Sequence, residues 1–253
     1  MCLCILFYKI APSFPLLMAA NREERYDRPA DLPSWLDAPA IFAGAPAIFA
    51  GRDREAGGTW QGINPSGLLV ALTNRSGGQQ DPDRRSRGQF CLDVLRHPSA
   101  RAAVDWLRDH LAVHSYNPCN LICADVGEAF AVHHDGISTE ILSIPPGIHF
   151  LTDTDLDDPH HPRISYARDL IKNELSRDWP DLRRTLERTM ADHADGISPE
   201  ASICLHGEIG GTVSSSIIAL READLRGAKF HSAPGAPCIH PYEDISSRAT
   251  SLH

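Results

Sequence analysis

Cys2 follows Met1, and a methionine before a small residue is normally removed after synthesis, so the mature chain is expected to begin at Cys2. A terminal cysteine carries a thiol and a free α-amine on one residue. The amine has an unperturbed pKa of about 7.7–8, close to working pH. It can take the thiol proton directly or through a water, in place of the usual histidine base. A thiol of pKa about 8.5 gains thiolate character beside a cation. Arg22 is the candidate cation, and the reason lies in the elements that carry the two residues. Cys2–Tyr8 and Leu16–Ala20 are short, apolar, β-compatible runs, and the residues between them include Pro12, Ser13 and Pro15. A strand, loop and strand folded about Pro12 make paired positions sum to roughly 24. Cys2 then falls opposite Arg22, beside Asn21-Arg22-Glu23-Glu24. The bland alternative is a buried strand cysteine packing as a small hydrophobe, like Cys4 two residues on and on the same face.

A second hairpin brings in an amide. Thr59–Ile63 and Leu68–Thr73 flank Asn64-Pro65-Ser66-Gly67, with Pro and Gly where a type I turn prefers them. Paired positions sum to about 131 for such a turn, which sets Asn74 near Gly57 and Gly58. Further along, Phe90–Arg96, Ala100–Val113, Arg163–Ser176 and Asp181–Ala191 have helical periodicity, the last two separated by Pro180. Asn120–Ala124, Ala129–His133, Ile148–Thr152, Ile203–His206 and Ser214–Leu220 have strand character. Gly77–Arg87 is a polar surface loop. The repeat of Pro39-Ala-Ile-Phe-Ala-Gly at Pro46 is two copies long, too few for a solenoid, and is taken as a loop expansion. Strands, helices, strands, helices, strands is not the alternation of a parallel α/β fold. It suits an α+β protein of antiparallel sheets covered by segregated helices. One domain over 1–230 is expected, with a weakly ordered tail over 231–253.

The composition narrows the function classes. The chain has 253 residues, 42% hydrophobic and 23% charged, with a formal net charge of −9. That balance argues against a nucleic-acid binder and against a polybasic membrane-surface protein. Its longest apolar stretch at the start, Met1–Tyr8, is far short of the ~20 residues a membrane span needs, so no membrane insertion is expected. Seven scattered cysteines without an export signal are read as reduced thiols in a cytoplasmic chain.

Several motifs together resemble one family. They are Met1-Cys2 opening an apolar strand, Ala19-Ala20-Asn21-Arg22-Glu23-Glu24, Ala50-Gly51-Arg52-Asp53, Ala56-Gly57-Gly58-Thr59-Trp60-Gln61-Gly62 and Leu72-Thr73-Asn74. On these the chain is identified as a member of the NRDE family, the transport-and-Golgi-organisation protein family. The tetrapeptide that names the family reads Asn-Arg-Glu-Glu here. The family resembles, more distantly, the N-terminal nucleophile hydrolases of the choloylglycine and penicillin V acylase branch. That resemblance implies a four-layer αββα sandwich and a cysteine that attacks an amide. It also implies Arg22 and Glu24 as orienters of the nucleophile, with Glu23 an open alternative, and Asn74 as an oxyanion-hole donor.

The pattern also departs from the family. A second oxyanion-hole Asn in the acylases matches Leu151-Thr152-Asp153, and a carboxylate at Asp153 repels an oxyanion unless it is protonated. Gly210-Gly211-Thr212-Val213 lacks the family's aromatic and cation, and His160-His161-Pro162-Arg163 replaces its Trp-Pro-Lys. Cys119, Cys123, His133 and His134 are zinc-type ligands at a spacing that suits strands poorly, and no metal site or cofactor is assigned. Arg52-Asp53-Arg54-Glu55 reads as an internal salt-bridged turn, and Trp60 as core. Two functions remain open: a cysteine amidohydrolase acting on a small molecule or acylated metabolite, or a non-catalytic binder or trafficker of a small molecule such as haem or a lipid. An interaction scaffold is the third.

Overall fold

The computed structural model describes residues 2–36, 46–172 and 178–251. The chain opens with strands β1 (Leu3–Ala11), β2 (Phe14–Arg25), β3 (Ala30–Leu36), β4 (Ile48–Asp53), β5 (Gln61–Ile63) and β6 (Leu69–Asn74). Helices α1 (Arg87–Val94) and α2 (Ala100–Leu111) follow, then strands β7 (Cys119–Ala124), β8 (Ala129–His134), β9 (Thr139–Ser143) and β10 (Gly147–Leu151). Helices α3 (Pro162–Ile171) and α4 (Trp179–Met190) precede β11 (Gly210–Leu220), β12 (Lys229–Ala233), β13 (Glu243–Asp244) and the short α5 (Ser246–Thr250).

The strands form two antiparallel sheets, in the orders β10-β1-β2-β11-β12-β13 and β3-β4-β5-β6-β7-β8-β9. Three hydrophobic clusters define four layers. Leu6, Met18, Phe49, Ile63 and Ile122 pack between the sheets. Phe90, Val104 and Leu107 of α1 and α2 cover the outer face of the second sheet on Val70, Leu121 and Val132. Ile164, Leu182 and Leu186 of α3 and α4 cover the outer face of the first sheet on Leu3, Ile5 and Leu17. This is an αββα sandwich. Each central strand is buried on both faces, so β1 is a continuous apolar run rather than an alternating one.

Both hairpins fold about the expected turns. β1 and β2 pair at a sum of 24 from Leu3↔Asn21 to Tyr8↔Leu16, which puts Cys2 next in register to Arg22. β5 and β6 pair as Gln61↔Ala71 and Ile63↔Leu69, a sum of 132. The extra residue is Gly67. Its φ of 78° and the Gly67 N–H to Asn64 C=O bond of 3.0 Å make a type I turn followed by a bulge, so Asn64 pairs with Leu68.

Four expectations are corrected. The tail is built into the fold: β12 and β13 extend the first sheet, and Ile245 and Ala249 are buried between the sheets. Its polar composition hides the few apolar residues that anchor it. Pro180 does not divide two helices but lies in the first turn of α4, where its missing N–H loses no helical bond. Residues 203–206 form no strand, only an isolated bridge from His206 to Gly211. The second copy of the duplication supplies β4, while 39–45 of the first lie outside the described residues. Edge strands β3 and β9 carry too few buried residues to have shown a pattern.

Candidate active site

The ends of β2, β4 and β6, the start of α1 and Cys2 surround one cleft of about 620 Å³. Strand alternation divides the Asn21–Glu24 stretch between two layers. Cys2 and Arg22 share the face that looks between the sheets, and Glu24 lies on that face too. Asn21 and Glu23 point the other way, into the helix layer. The Asn21 amide donates to the carbonyls of Met190 at 2.9 Å and Ile203 at 3.1 Å. Glu23 is gripped at both oxygens by Arg163 of α3, with Nη1 to Oε2 at 3.1 Å. Burial pushes the Glu23 carboxyl up, and the Arg163 guanidinium opposes it. Glu24 forms an ion pair with Arg28 at 3.4 Å and lines the cleft.

Arg22 is fixed on two sides. Its Nη2 donates to Asp53 Oδ2 at 3.1 Å, and its guanidinium lies 4.1 Å from the centre of the Trp60 ring. Asp53 also accepts from Arg28 Nε at 2.6 Å and from the Ala56 N–H at 2.7 Å. Burial alone would raise the Asp53 carboxyl, but Arg28, the Ala56 amide and Arg22 together hold it below the ordinary range. The turn at 52–55 is thus not internally paired. Asp53 holds Arg22 of β2 and Arg28 of the turn after it, and Arg54 reaches Asp31 of β3. Trp60 is not core: it lines the cleft and a second cavity of about 240 Å³ between the sheets. Gly51 makes room for that ring, because a Cβ there would lie 2.6 Å from it.

Cys2 is half-buried. Burial pushes its thiol up, the Glu23 carboxylate adds to the rise, and Arg22 draws it down without reversing it. The net direction is toward the neutral thiol, against the gain in thiolate character expected from Arg22. Asn74, exposed at the end of β6, lines the same cleft. So does Arg87, the first residue of α1, whose Nη1 donates to the Pro118 carbonyl at 2.9 Å.

Asp153 does not line this cleft, although the β1–β10 register, Cys4↔Leu151, carries it toward Cys2. Its carboxylate accepts from the Ser76 hydroxyl and faces His161 Nε2 at 3.3 Å. The contact with His161, helped by Ser76 against the cost of burial, holds it down at about 2. It is an anion, not a donor. The zinc-type strand residues also separate: His133 Nδ1 bonds Asn120 Oδ1 at 2.8 Å and His134 Nδ1 bonds Thr139 Oγ1 at 2.9 Å.

The structure thus gathers Cys2, Arg22, Glu24 and Asn74 at one cleft and leaves Asp153 outside it. Asp53, Arg87 and Arg163 were not singled out as site residues. Asp53 carried a signal inside the Gly51-Arg52-Asp53 motif and Arg163 one inside His160-His161-Pro162-Arg163, whereas Arg87 carried none.

The Transport and Golgi organisation 2 family model matches residues 1–221. The chain belongs to that family. It is 32% identical over 169 residues to the Transport and Golgi organization 2 homolog of Mus musculus, a match covering 62% of this chain and 59% of the mouse protein. The Homo sapiens homolog is 29% identical over 187 residues, covering 69% and 65%. The chain therefore spans about three-fifths of the length of the curated relatives it matches. Among solved structures, a Caenorhabditis elegans N-acylethanolamine-hydrolyzing acid amidase ortholog superposes with a TM-score of 0.57 at 15% identity, over 86% of this chain and 92% of that one. Penicillin V acylase from Agrobacterium tumefaciens gives 0.55 at 10%, over 96% and 86%. At that identity the likeness is one of fold: this family member has the N-terminal nucleophile hydrolase architecture. Among the described residues, no helix is long and apolar enough to cross a membrane.

Proposed function

We propose that the chain is a cysteine amidohydrolase that cleaves a C–N amide bond of a small molecule or acylated metabolite, with Cys2 as nucleophile. The observation that carries this reading is the register that sets Cys2 beside Arg22 at a cleft also lined by Asn74. The mechanism requires that processing expose the Cys2 α-amine. A thiol held neutral needs a base at the moment of attack, and that amine is the nearest one the chemistry provides. Cys2 Sγ bonds to the amide carbon while its proton passes to the amine. The oxyanion that forms accepts from the Asn74 side-chain amide. The C–N bond then breaks, the proton leaves with the departing amine, and a thioester remains for water to hydrolyse. Arg22, fixed by Asp53 and Trp60, and Glu24 act as orienters.

Small-molecule substrates fit the volume of the cleft, and the inter-sheet cavity beyond Arg22 and Trp60 offers room for an acyl group. Gln61 Nε2 and His231 Nε2, both buried without a hydrogen-bond partner among the described residues, belong to residues lining that cavity. The rival reading, a non-catalytic carrier of haem or a lipid, is favoured by one observation: the acylase-type second donor position is an ionised Asp153.

Intact-mass analysis after incubation with a panel of N-acyl amides separates the two. An acyl adduct on Cys2, lost in Cys2→Ala and weakened in Asn74→Ala, supports the hydrolase. No adduct and no amide turnover, with ligand binding unchanged in Cys2→Ala, would overturn it.

A further inference from the structure

On the far side of the first sheet from the cleft, two cysteines and two histidines converge. His193 follows α4, Cys204 and His206 precede β11, and Cys238 follows β12. One ligand atom from each lies within 4.8 Å of all the others. Cys204 Sγ is 3.6 Å from Cys238 Sγ and 3.8 Å from His206 Nε2, and His206 Nε2 is 3.2 Å from Cys238 Sγ. Tetrahedral zinc, with Zn–S of about 2.3 Å and Zn–N of about 2.0–2.1 Å, sets such atoms roughly 3.3–3.8 Å apart. We propose that His193, Cys204, His206 and Cys238 bind one zinc ion, a structural Cys2His2 site that clamps the loop before β11 to the segment after β12.

The chain delivers these groups by ordinary means. Cys204 and His206 flank Leu205, whose N–H donates to Thr212 Oγ1 at 2.9 Å and whose carbonyl accepts from the Thr212 N–H at 2.8 Å. Cys238 lies in the turn that follows β12, where the Ile239 and His240 N–H groups both donate to the Ala236 carbonyl. The bridge from His206 to Gly211 closes the arrangement from the other side. His193 is oriented by its other ring nitrogen: Nδ1 bonds the Cys204 carbonyl at 2.9 Å, which leaves Nε2 for the metal. The loop itself is anchored, with Ile203 and Cys204 N–H groups both donating to the Asp192 carbonyl. Two sulfurs and two imidazoles suit zinc rather than magnesium or calcium, which take oxygen. Four protein ligands leave no open position, so the site holds structure rather than performing chemistry. Its consequence for the cleft runs through Ile203, whose carbonyl accepts from both Asn21 and Arg163, the residues beneath Arg22 and Glu23.

The test is metal analysis of the full chain purified without chelator, with cobalt substitution and thiol counting. About one zinc per chain is expected. The cobalt form should show visible d–d bands of tetrahedral type and thiolate-to-cobalt charge transfer. Cys238→Ser changes an exposed side chain and should lose both signals, whereas His160→Ala, on another loop, should keep them. Chelation should speed hydrogen exchange at 192–206 and 234–240. Wild-type protein that is metal-free and takes up neither zinc nor cobalt with its thiols reduced would overturn the proposal. So would a Cys204–Cys238 disulfide as the native state, or zinc retained in full by Cys238→Ser.

Discussion

Asp153→Asn isolates one electrostatic contribution whose size follows from the structure. The Asp153 side chain is nearly buried, 9% exposed, between His161 and the Ser76 hydroxyl. Its carboxyl falls from 3.8 to about 2 on folding. At about 1.36 kcal/mol per pKa unit, that amounts to about 2 kcal/mol at neutral pH. A depressed carboxyl contributes fully above its unfolded value and loses the contribution as pH falls through the folded one. The gap between wild type and Asp153→Asn should therefore be about 2 kcal/mol at pH 7 and unchanged at pH 5, with about half of it gone by pH 3. Urea unfolding of both proteins at those three pH values measures it. A gap that is absent at pH 7, or equally large at pH 3, would refute the assignment of Asp153 as a buried anion. The same variant bears on chemistry. If Asp153 served as a protonated oxyanion donor, Asn would keep or raise amide turnover at neutral pH. An anion turned toward Ser76 and His161 predicts no gain.

Three other perturbations probe the supports of the cleft. Arg22→Gln should move the midpoint of Cys2 alkylation upward in pH, because Arg22 draws the thiol down; an unmoved midpoint assigns Arg22 to Asp53 and Trp60 alone. Glu23→Gln leaves the Arg163 guanidinium buried without its carboxylate, 3% exposed, and should cost about 3–5 kcal/mol in urea unfolding. Gly51→Ala drives a methyl group to 2.6 Å from the Trp60 ring. It should cost about 1–3 kcal/mol and shift the alkylation profile in the same direction as Arg22→Gln, since the ring can no longer lie under the guanidinium.

What could be read from sequence follows the range of the interactions. The β1–β2 pairing was legible because a short loop and the pleat period leave one register, and Cys2 opposite Arg22 came with it. The β5–β6 register slipped by one because a bulge at Gly67 adds a residue that turn composition alone does not announce. Helices α2 and α4 had apolar faces to show. Strands β3 and β9 are exposed edges and had none. The long-range parts were hidden. Nothing near Glu23 announces Arg163, 140 residues away, and nothing near Cys204 announces Cys238. The spacing of the four zinc-type ligands matches no compact motif, because loops on three elements supply them. Conversely, Cys119, Cys123, His133 and His134 are close in sequence, yet their strands give the side chains separate partners.

The departures from the family's pattern take on a different meaning once they are seen in space. Glu23 in the family tetrapeptide and Arg163 in place of Lys are 140 residues apart in sequence. They are in contact: Arg163 holds both oxygens of Glu23 inside the helix layer. A guanidinium is a planar fork that meets a carboxylate with two parallel bonds, which an ammonium does not. The longer carboxylate and the forked cation thus form one buried pair beneath Cys2 rather than two unrelated departures. Val213 tells a similar story. It is the extra residue where β11 slips against β2, between Thr212↔Glu23 and Ser214↔Arg22, and it lines the inter-sheet cavity. An apolar side chain there, where the resemblance implied a cation, adds apolar surface to the wall of that cavity. The pair beneath Cys2 is therefore rebuilt while the wall of the adjoining cavity is changed. Under the proposed function, such a site would keep the support beneath Cys2 and alter what it admits.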